Sequence, residues 1–395
     1  MLRYLTAGES HGPALVVVVE GLPAGLEVAA EDISSELARR RLGYGRGPRM
    51  RFEQDVVTLV GGVRHGRTLG SPVAIEIANS EWERNPEKWQ QEMSPAAADG
   101  PTRAPLTQVR PGHADLAGMQ KYGFTDARDV LERASARETA ARVAAGTLAK
   151  RLLATLGVRI VSHVIQVGPA RATAGIRPGP DDLDQVDADE VRCLDPDAAQ
   201  AMVVEIKAAA RDGDSLGGVV EAIAYGVPVG LGSHVHWDRK LDSALARAVM
   251  SIQAVKGVEI GDGFDVAGRR GSDAHDPVTW TPEGGYQRPT TFAGGVEGGI
   301  STGEPVVVRA AMKPLATLNR PTLATVDTLT KEPGVSFKER TDVTAVPACG
   351  VVTEHMVALV LADEATRKFG GDSVDELTRN HRAFVEALAA GPVGA

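Results

Sequence analysis

One thirteen-residue pattern occurs twice, and it limits the folds open to this chain more than any other feature. Gly61-Gly-Val-Arg-His-Gly-Arg-Thr-Leu-Gly-Ser-Pro-Val73 aligns without a gap on Gly294-Gly-Val-Glu-Gly-Gly-Ile-Ser-Thr-Gly-Glu-Pro-Val306. The shared pattern, GGVxxGxxxGxPV, is too specific to arise from composition. A second pair supports it. Gly21-Leu-Pro-Ala-Gly-Leu26 matches Gly226-Val-Pro-Val-Gly-Leu231, and each follows a β-branched run, Val16–Val19 or Val219–Ala224. Self-similarity of this kind marks a repeated supersecondary unit. The chain is therefore expected to hold a duplicated strand–helix–glycine-loop–strand unit as a pseudo-repeat inside a single domain, 1–395.

Local signals place the elements. Strands are expected over Leu15–Glu20, Val56–Val60, Val73–Ile77, Val158–Gly168, Val219–Tyr225 and Val306–Met312. Asp32 to Leu42 reads as a helix ended by Gly43, a C-cap residue. Asp126 to Leu156 reads as one long Ala-rich helix. Its Ala140, Ala144, Ala145 and Gly146 allow close packing in the interior. Asp195-Pro196 opens a helix to about Arg211 as N-cap and N1. Leu241, Leu245, Val249, Ile252 and Val255 keep helical spacing up to Gly257. Ser373-x-x-Glu376 is a capping box for a C-terminal helix. Strands and helices do not alternate as in a dinucleotide-binding fold, so an α+β class with sheets covering central helices fits better. Surface loops are expected near 80–108, 171–190 and 258–290.

Charge then narrows the function. The chain has 395 residues, 43 Lys+Arg and 52 Asp+Glu, a formal net charge of -9. Yet Arg39–Arg51 holds six arginines and no acid. An acidic protein with 4% aromatic residues is poorly suited to nonspecific nucleic-acid binding. The local basic patch points instead to a small, highly charged anion. For Arg39 and Arg41 the alternative is the solvated end of a helix; Arg46 and Arg49 are set apart by glycines. Cys193 and Cys349 are the only cysteines, which suits a reducing cytoplasm and argues against a structural zinc site. The apolar run Ala14–Val19 is too short to span a bilayer and lacks the flanks of a signal peptide.

Two histidines have unusual surroundings: His11 in Gly8-Glu-Ser-His-Gly12, and His113 in Arg110-Pro-Gly-His-Ala-Asp115. A histidine beside glycine in a loop is a candidate proton donor, or else a turn residue bonded to backbone. Arg110, three residues before His113, suits the departure of an anion. Arg133 and Arg137, four apart on the expected helix, share a face, with Glu138 as a possible partner. Lys313 to Thr317 follows the Gly294–Gly303 loop and a strand, and together these could cradle a phosphate. Arg340-Thr-Asp342 adds a cation and a carboxylate. No Walker A, His-Glu-x-x-His or strand-borne GxGxxG motif is present.

These stretches resemble one family, chorismate synthase. The resemblance lies in GESHGPALVVVVEGLPAG, RRRLGYGRGPRM, LTQVRPGHADLAGMQKYG, DVLERASARETAARVAAGTL, SIQAVKGVEIG, GGVEGGISTGEP, MKPLATL and RTDVTAVPA, spread over residues 1 to about 350 in the family's order. It implies loss of phosphate and a proton from 5-enolpyruvylshikimate 3-phosphate to give chorismate, in the shikimate pathway to the aromatic amino acids. Reduced FMN is needed without net redox change. The resemblance also implies a β-α-β sandwich with central helices between two antiparallel sheets, assembled as a homotetramer in the cytoplasm. Carried over by motif, His11 would protonate the flavin, His113 the leaving phosphate, and Asp342 would help take the proton back through flavin N5. Arg40, Arg46, Arg49, Arg110, Arg133 and Arg340 would surround the substrate. The family's reduced-nicotinamide (NADP) site at Arg40 and Arg46 is read here as that same anion patch. The FMN positions are Arg133, Ala134, Ser135, Gln253, Ala254, Gly298, Lys313, Pro314, Leu315, Ala316, Thr317 and Arg340. Thr341 stands where the family more often has Ser or His. No inserted flavin-reductase segment is evident, so a separate reductase, with NADPH as its candidate reductant, is implied. The alternatives are a metal-free phosphatase and a nonenzymatic binder of a phosphorylated small molecule.

Overall fold

The structure, a computed structural model, describes residues 1–47, 54–96, 103–282, 284–337 and 342–389. Arg49, Arg340 and Thr341 lie outside the described residues.

Two antiparallel sheets carry the same topology. In the first, β1 (Arg3–Ala7), β2 (Ala14–Glu20), β3 (Val57–Gly61) and β4 (Val73–Ala78) lie in the order β1-β2-β4-β3. In the second, β5 (Arg159–Val167), β6 (Ala170–Arg171), β7 (Gly218–Tyr225), β8 (Val255–Ile260) and β9 (Val306–Met312) lie in the order β6-β5-β7-β9-β8. Apart from the short edge strand β6, β5-β7-β9-β8 repeats β1-β2-β4-β3. Helices repeat too. After β2 comes α1 (Ala30–Arg40) and after β4 comes α2 (Thr139–Ala154). After β7 comes α4 (Leu241–Met250) and after β9 comes α5 (Val346–Phe369). The second half adds α3 (Pro196–Asp212) before β7, and α6 (Val374–Ala389) closes the described chain.

The sequence repeats form matching hairpins. Val63 pairs with Thr68 and Arg64 with Arg67; Val296 pairs with Ser301 and Glu297 with Ile300. Thr68 Oγ1 donates to Pro23 O and accepts from Leu26 N, while Ser301 Oγ donates to Pro228 O and accepts from Leu231 N. The paired hexapeptides thus receive their paired hairpins through the same two bonds. Gly62 and Gly295 have positive φ, and a Cβ on either would lie 2.3 or 2.4 Å from the carbonyl oxygen of Pro72 or Pro305. Only glycine meets both demands.

Helices of the two halves pack on one another and on the sheets. α2 packs on β2 and on α5, and α5 packs on β5 and β7. α5 is long and apolar enough to cross a bilayer, but its faces are buried in the protein core. A Cβ on Gly146 of α2 would lie 2.4 Å from Cβ and 2.9 Å from Cα of His355 on α5. Arg39, at the end of α1, is no solvated helix end: it binds Glu36, Asp187 and the fully buried Glu354 of α5. Lys150 and Arg192 bind the same Glu354, whose pKa these cations hold well below the usual carboxylate range against the opposing cost of burial.

Several expectations change. The helix read over Asp126–Leu156 is broken into Arg128–Ala134, a 3₁₀ turn Ala136–Glu138, and α2. Ser135 is extended, with φ -60 and ψ 144, and its side chain accepts from Arg137 N. Hydroxyl capping of this kind competes with helix continuation. Arg133 and Arg137 therefore do not share a helical face. The helix read up to Gly257 stops at Met250, because Val255 begins β8, which pairs with β9. The stretch 80–108 holds helices Ser80–Arg84 and Pro86–Met93. The stretch 171–190 holds helix Leu183–Ala188 and sends Arg177 to the buried Glu221. The stretch 258–290 includes the hairpin Thr279–Thr281/Gly285–Gln287. The caps at Asp195 and at Ser373/Glu376 form as read.

Gly146→Ala tests the helix contact. Alanine favours a helix interior by about 0.8–1 kcal/mol over glycine. Overpacking at the crossing should outweigh that, costing about 1–3 kcal/mol. Thermal unfolding should show a lower Tm; a raised Tm would mean the helices are not held this close.

Candidate active site

The broken stretch 128–139 organises the histidine loop. The Glu132 carboxylate accepts from His11 N at 2.9 Å and stands 3.0 Å from His11 Nδ1 through each oxygen. Ser10 N donates to Glu132 O. Asn79 Nδ2 donates to Glu9 O and Gly12 O, and Arg137 Nε donates to Asn79 Oδ1. Arg137 also pairs with the buried Asp55. Arg133 reaches the other side of the loop, donating to Gly8 O and to Thr6 O and Oγ1. Trp89 stacks on the His11 ring, with centroids 3.8 Å apart and planes 9° from parallel.

His113 has its own carboxylate. Its Nδ1 lies 2.5 Å from Asp115 Oδ1, and Arg110 Nε donates to Asp115 Oδ2 at 2.9 Å. Arg110 N also donates to Asp115 Oδ2. Burial alone would raise the pKa of Asp115, but hydrogen bonds from His113 and Arg110 hold it well below the usual carboxylate range. Arg110 and His113 are thus fixed as one unit at the turn. The turn is anchored by Val109, which packs in a cluster with Met119 and Ala127.

A chain of bonds joins these loops to the Lys313 segment. Lys313 Nζ donates to Gly112 O at 2.5 Å, and Lys313 N to Ala254 O at 2.9 Å. Gln253 Nε2 donates to Glu138 Oε2, while Thr6 Oγ1 donates to Glu138 Oε1. Glu138 also pairs with Arg142 and lies 4.0 Å from Arg133. Ser215 Oγ donates to Leu315 O, and Leu216 N to Val343 O. The neighbouring Asp342 accepts from Gly47 N at 2.5 Å and sits 3.1 Å from Arg46 Nη1. Arg40, buried, donates to Thr139 Oγ1 and Ala136 O. Beside Arg46 opens a cleft of about 920 Å³, lined also by Arg41, Tyr44, Lys207 and Arg211.

His11, His113, Arg40, Arg46, Arg110, Arg133, Gln253, Ala254, Lys313, Leu315 and Asp342 are linked by this network. Ala134 and Ser135 lie within its 128–139 stretch, and Pro314, Ala316 and Thr317 continue the Lys313 segment. Gly298 is apart: its hairpin is bonded to Pro228, Leu231 and Leu241 instead. Sequence reasoning missed Glu132, Asp115, Asn79 and Trp89. Asp115 closes the motif that holds His113, and an acid two residues after a loop histidine was the available signal. Nothing local ties Glu132 to His11, 121 residues away.

Residues that could hold a ligand phosphate are present. Lys313 and Arg133 supply positive charge. The buried Gln253 Oε1 finds no hydrogen-bond partner among the described residues, an acceptor left for a ligand N–H. Ala254 holds a left-handed φ of 66, the kind of backbone strain concentrated at ligand sites. Glu36, Glu354 and His355 also lie close enough to share an ion, but Arg39, Lys150 and Arg192 already compensate those carboxylates.

In this α+β chain two histidine–carboxylate pairs stand beside arginines, a set of groups that can carry protons next to an anion. The chorismate synthase family model matches residues 2–366. Chorismate synthase of Salinispora tropica is 62% identical over 395 residues, covering 98% of this chain and 99% of its own. That of Streptomyces coelicolor is 60% identical over 394 residues, covering 98% of both. A chorismate synthase crystal structure superposes with a TM-score of 0.79 at 38% identity, covering 98% of both chains. The chain belongs to the chorismate synthase family, whose members are lyases.

Asp115→Asn should loosen Arg110 and His113 together. The folded-state pKa of Asp115 is depressed, so its stabilisation is complete above the unfolded value of about 3.9 and fades as pH falls below it. Urea unfolding should show a deficit of about 1.5–3 kcal/mol at pH 7. That deficit should shrink below about pH 4. A deficit independent of pH would contradict the ionised pairing.

Proposed function

We propose that this chain catalyses the loss of phosphate and a proton from 5-enolpyruvylshikimate 3-phosphate, giving chorismate in the shikimate pathway with reduced FMN bound. The observation that carries this reading is the bonded network uniting the His11 loop, the Arg110–His113 turn, the Lys313 segment and the Arg46–Asp342 pair. Arg46, Arg110 and Arg133 bind the substrate's phosphate and carboxylates. Arg40, Arg49 and Arg340 belong to the same patch by motif. Lys313–Thr317, Gln253, Ala254 and Arg133–Ser135 hold the flavin, with Gly298 in reserve as a motif match alone. Reduced FMN, when bound, lends electron density to the allylic C–O bond that breaks.

The protein's own groups manage charge and protons. Phosphate departs more easily when protonated, and His113 donates that proton while Arg110 steadies the developing anion. His11 exchanges a proton through Nε2, and Asp342, fixed by Gly47 N and Arg46, helps take back the proton lost from the substrate. The two sheets and their helices form a β-α-β sandwich, a single domain that assembles as a homotetramer in the cytoplasm. A separate reductase, NADPH-linked, supplies reduced flavin, and the family's nicotinamide positions at Arg40 and Arg46 are the same anion patch.

Anaerobic addition of the shikimate ester with photoreduced FMN should release phosphate and form chorismate. A phosphatase would release phosphate without flavin, and a simple binder would release none; either outcome overturns the proposal. Arg46→Ala should raise the KM for the ester about 10- to 100-fold, as expected from losing a charge-assisted bond of about 1.5–3 kcal/mol. An unchanged KM at saturating flavin would remove Arg46 from the binding patch.

A further inference from the structure

We propose that Glu132 and Trp89 are positioning residues for His11: the carboxylate sets which ring nitrogen carries the proton, and the indole sets the plane of the ring. This rests on the reading of His11 as a proton-transfer group.

Glu132 is 4% exposed and turns both oxygens toward one residue. Oε2 accepts the backbone N–H of His11, so backbone and ring are held by one carboxylate. An ionised carboxylate only accepts hydrogen bonds. Nδ1 is therefore the protonated nitrogen of the neutral ring, and Nε2, on the opposite side of the imidazole, is its basic nitrogen. The partner of one ring nitrogen decides the tautomer in this way wherever histidine acts.

Trp89 removes the remaining freedom, rotation of the ring about its bond to Cβ. Its indole lies 3.8 Å from the imidazole and nearly parallel. It is itself secured: Nε1 donates to Glu81 Oε2, which also accepts from Asn85 Nδ2, and Lys88 Nζ stands 3.8 Å from the indole ring centroid. The loop backbone does not depend on the Glu132 side chain alone. Asn79 binds Glu9 O and Gly12 O, and Ser10 N binds the main-chain oxygen of Glu132. Glu132→Gln can thus disturb the ring without releasing the loop.

The test uses the full-length enzyme with ¹⁵N-labelled histidine. The chain has nine histidines, and the His11 signals are assigned by their loss in His11→Ala. In the wild type the neutral His11 ring should carry its proton on Nδ1. Glu132→Gln, whose amide can donate or accept, should give a mixture of tautomers. Its kcat should fall about tenfold or more, the scale of a mispositioned general acid, with KM within about twofold of wild type. Trp89→Leu should lower kcat similarly and Trp89→Phe should restore most of it, because an aromatic face is what the ring requires. A wild-type proton on Nε2, or a Glu132→Gln enzyme with unchanged tautomer and kcat, overturns the proposal. If the tautomer responds as expected but His11→Ala turns over normally, the clamp stands and the role given to His11 falls.

Discussion

The contact of α2 with α5 at Gly146 and His355 is the constraint on which the rest of the structure depends. Each helix follows the last strand of one repeat, so their contact joins the two halves. The close approach is possible because Gly146 presents no side chain. It also brings together the helix ends that border the candidate site. Arg40, at the end of α1, binds Thr139 and Ala136 at the start of α2. Gly43 sits so close to Pro347, in the first turn of α5, that a Cβ would lie 2.7 Å from the proline ring. The end of α1 and the beginnings of α2 and α5 therefore meet where Arg46 and Asp342 pair. Buried Glu354 ties α1, α2 and the second sheet together through Arg39, Lys150 and Ser162.

The site is assembled by breaking regularity next to this rigid centre. At Ser135 the chain leaves the helix for one residue, so Glu132 faces His11, Arg133 faces Gly8, and Arg137 faces Asn79. An unbroken helix would place Arg133 and Arg137 on one face and could not hold the loop from several sides. His113 is served differently, by a carboxylate two residues away inside its own turn. Both arrangements place a carboxylate beside Nδ1 of a loop histidine.

Sequence reasoning recovered the elements whose cause is local. The duplicated glycine pattern marks hairpins that need positive φ at fixed positions, and the β-branched runs mark buried strands such as β2 and β9. Capping residues at Asp195 and Ser373 speak for themselves. The break at Ser135 was not legible, because an Ala-rich window favours continued helix, and beyond the local Ser135 cap it is tertiary bonds to Thr6, Gly8 and His11 that reward the interruption. Val255 looked helical by spacing, yet its register with Met312 on β9 decides otherwise. The family resemblance pointed to the two histidines and the arginines, but not to Glu132, Asn79 or Trp89, whose roles arise from contacts across the fold. Arg39 was read as part of the basic patch, with a solvated helix end as the alternative; neither reading reaches its partners Asp187 and Glu354, 148 and 315 residues away.

The central claim is that both repeats contribute to one site at the meeting of these helix ends. A crystal structure with oxidised FMN and the shikimate ester tests it most directly. Both ligands should lie together, bounded by the Gly45–Gly47 turn, the Arg110–His113 turn and the Lys313–Thr317 segment. Ester bound apart from the flavin, for example in the 580 Å³ cleft lined by Ala24, Arg67, Arg151 and Ser373, would contradict the account.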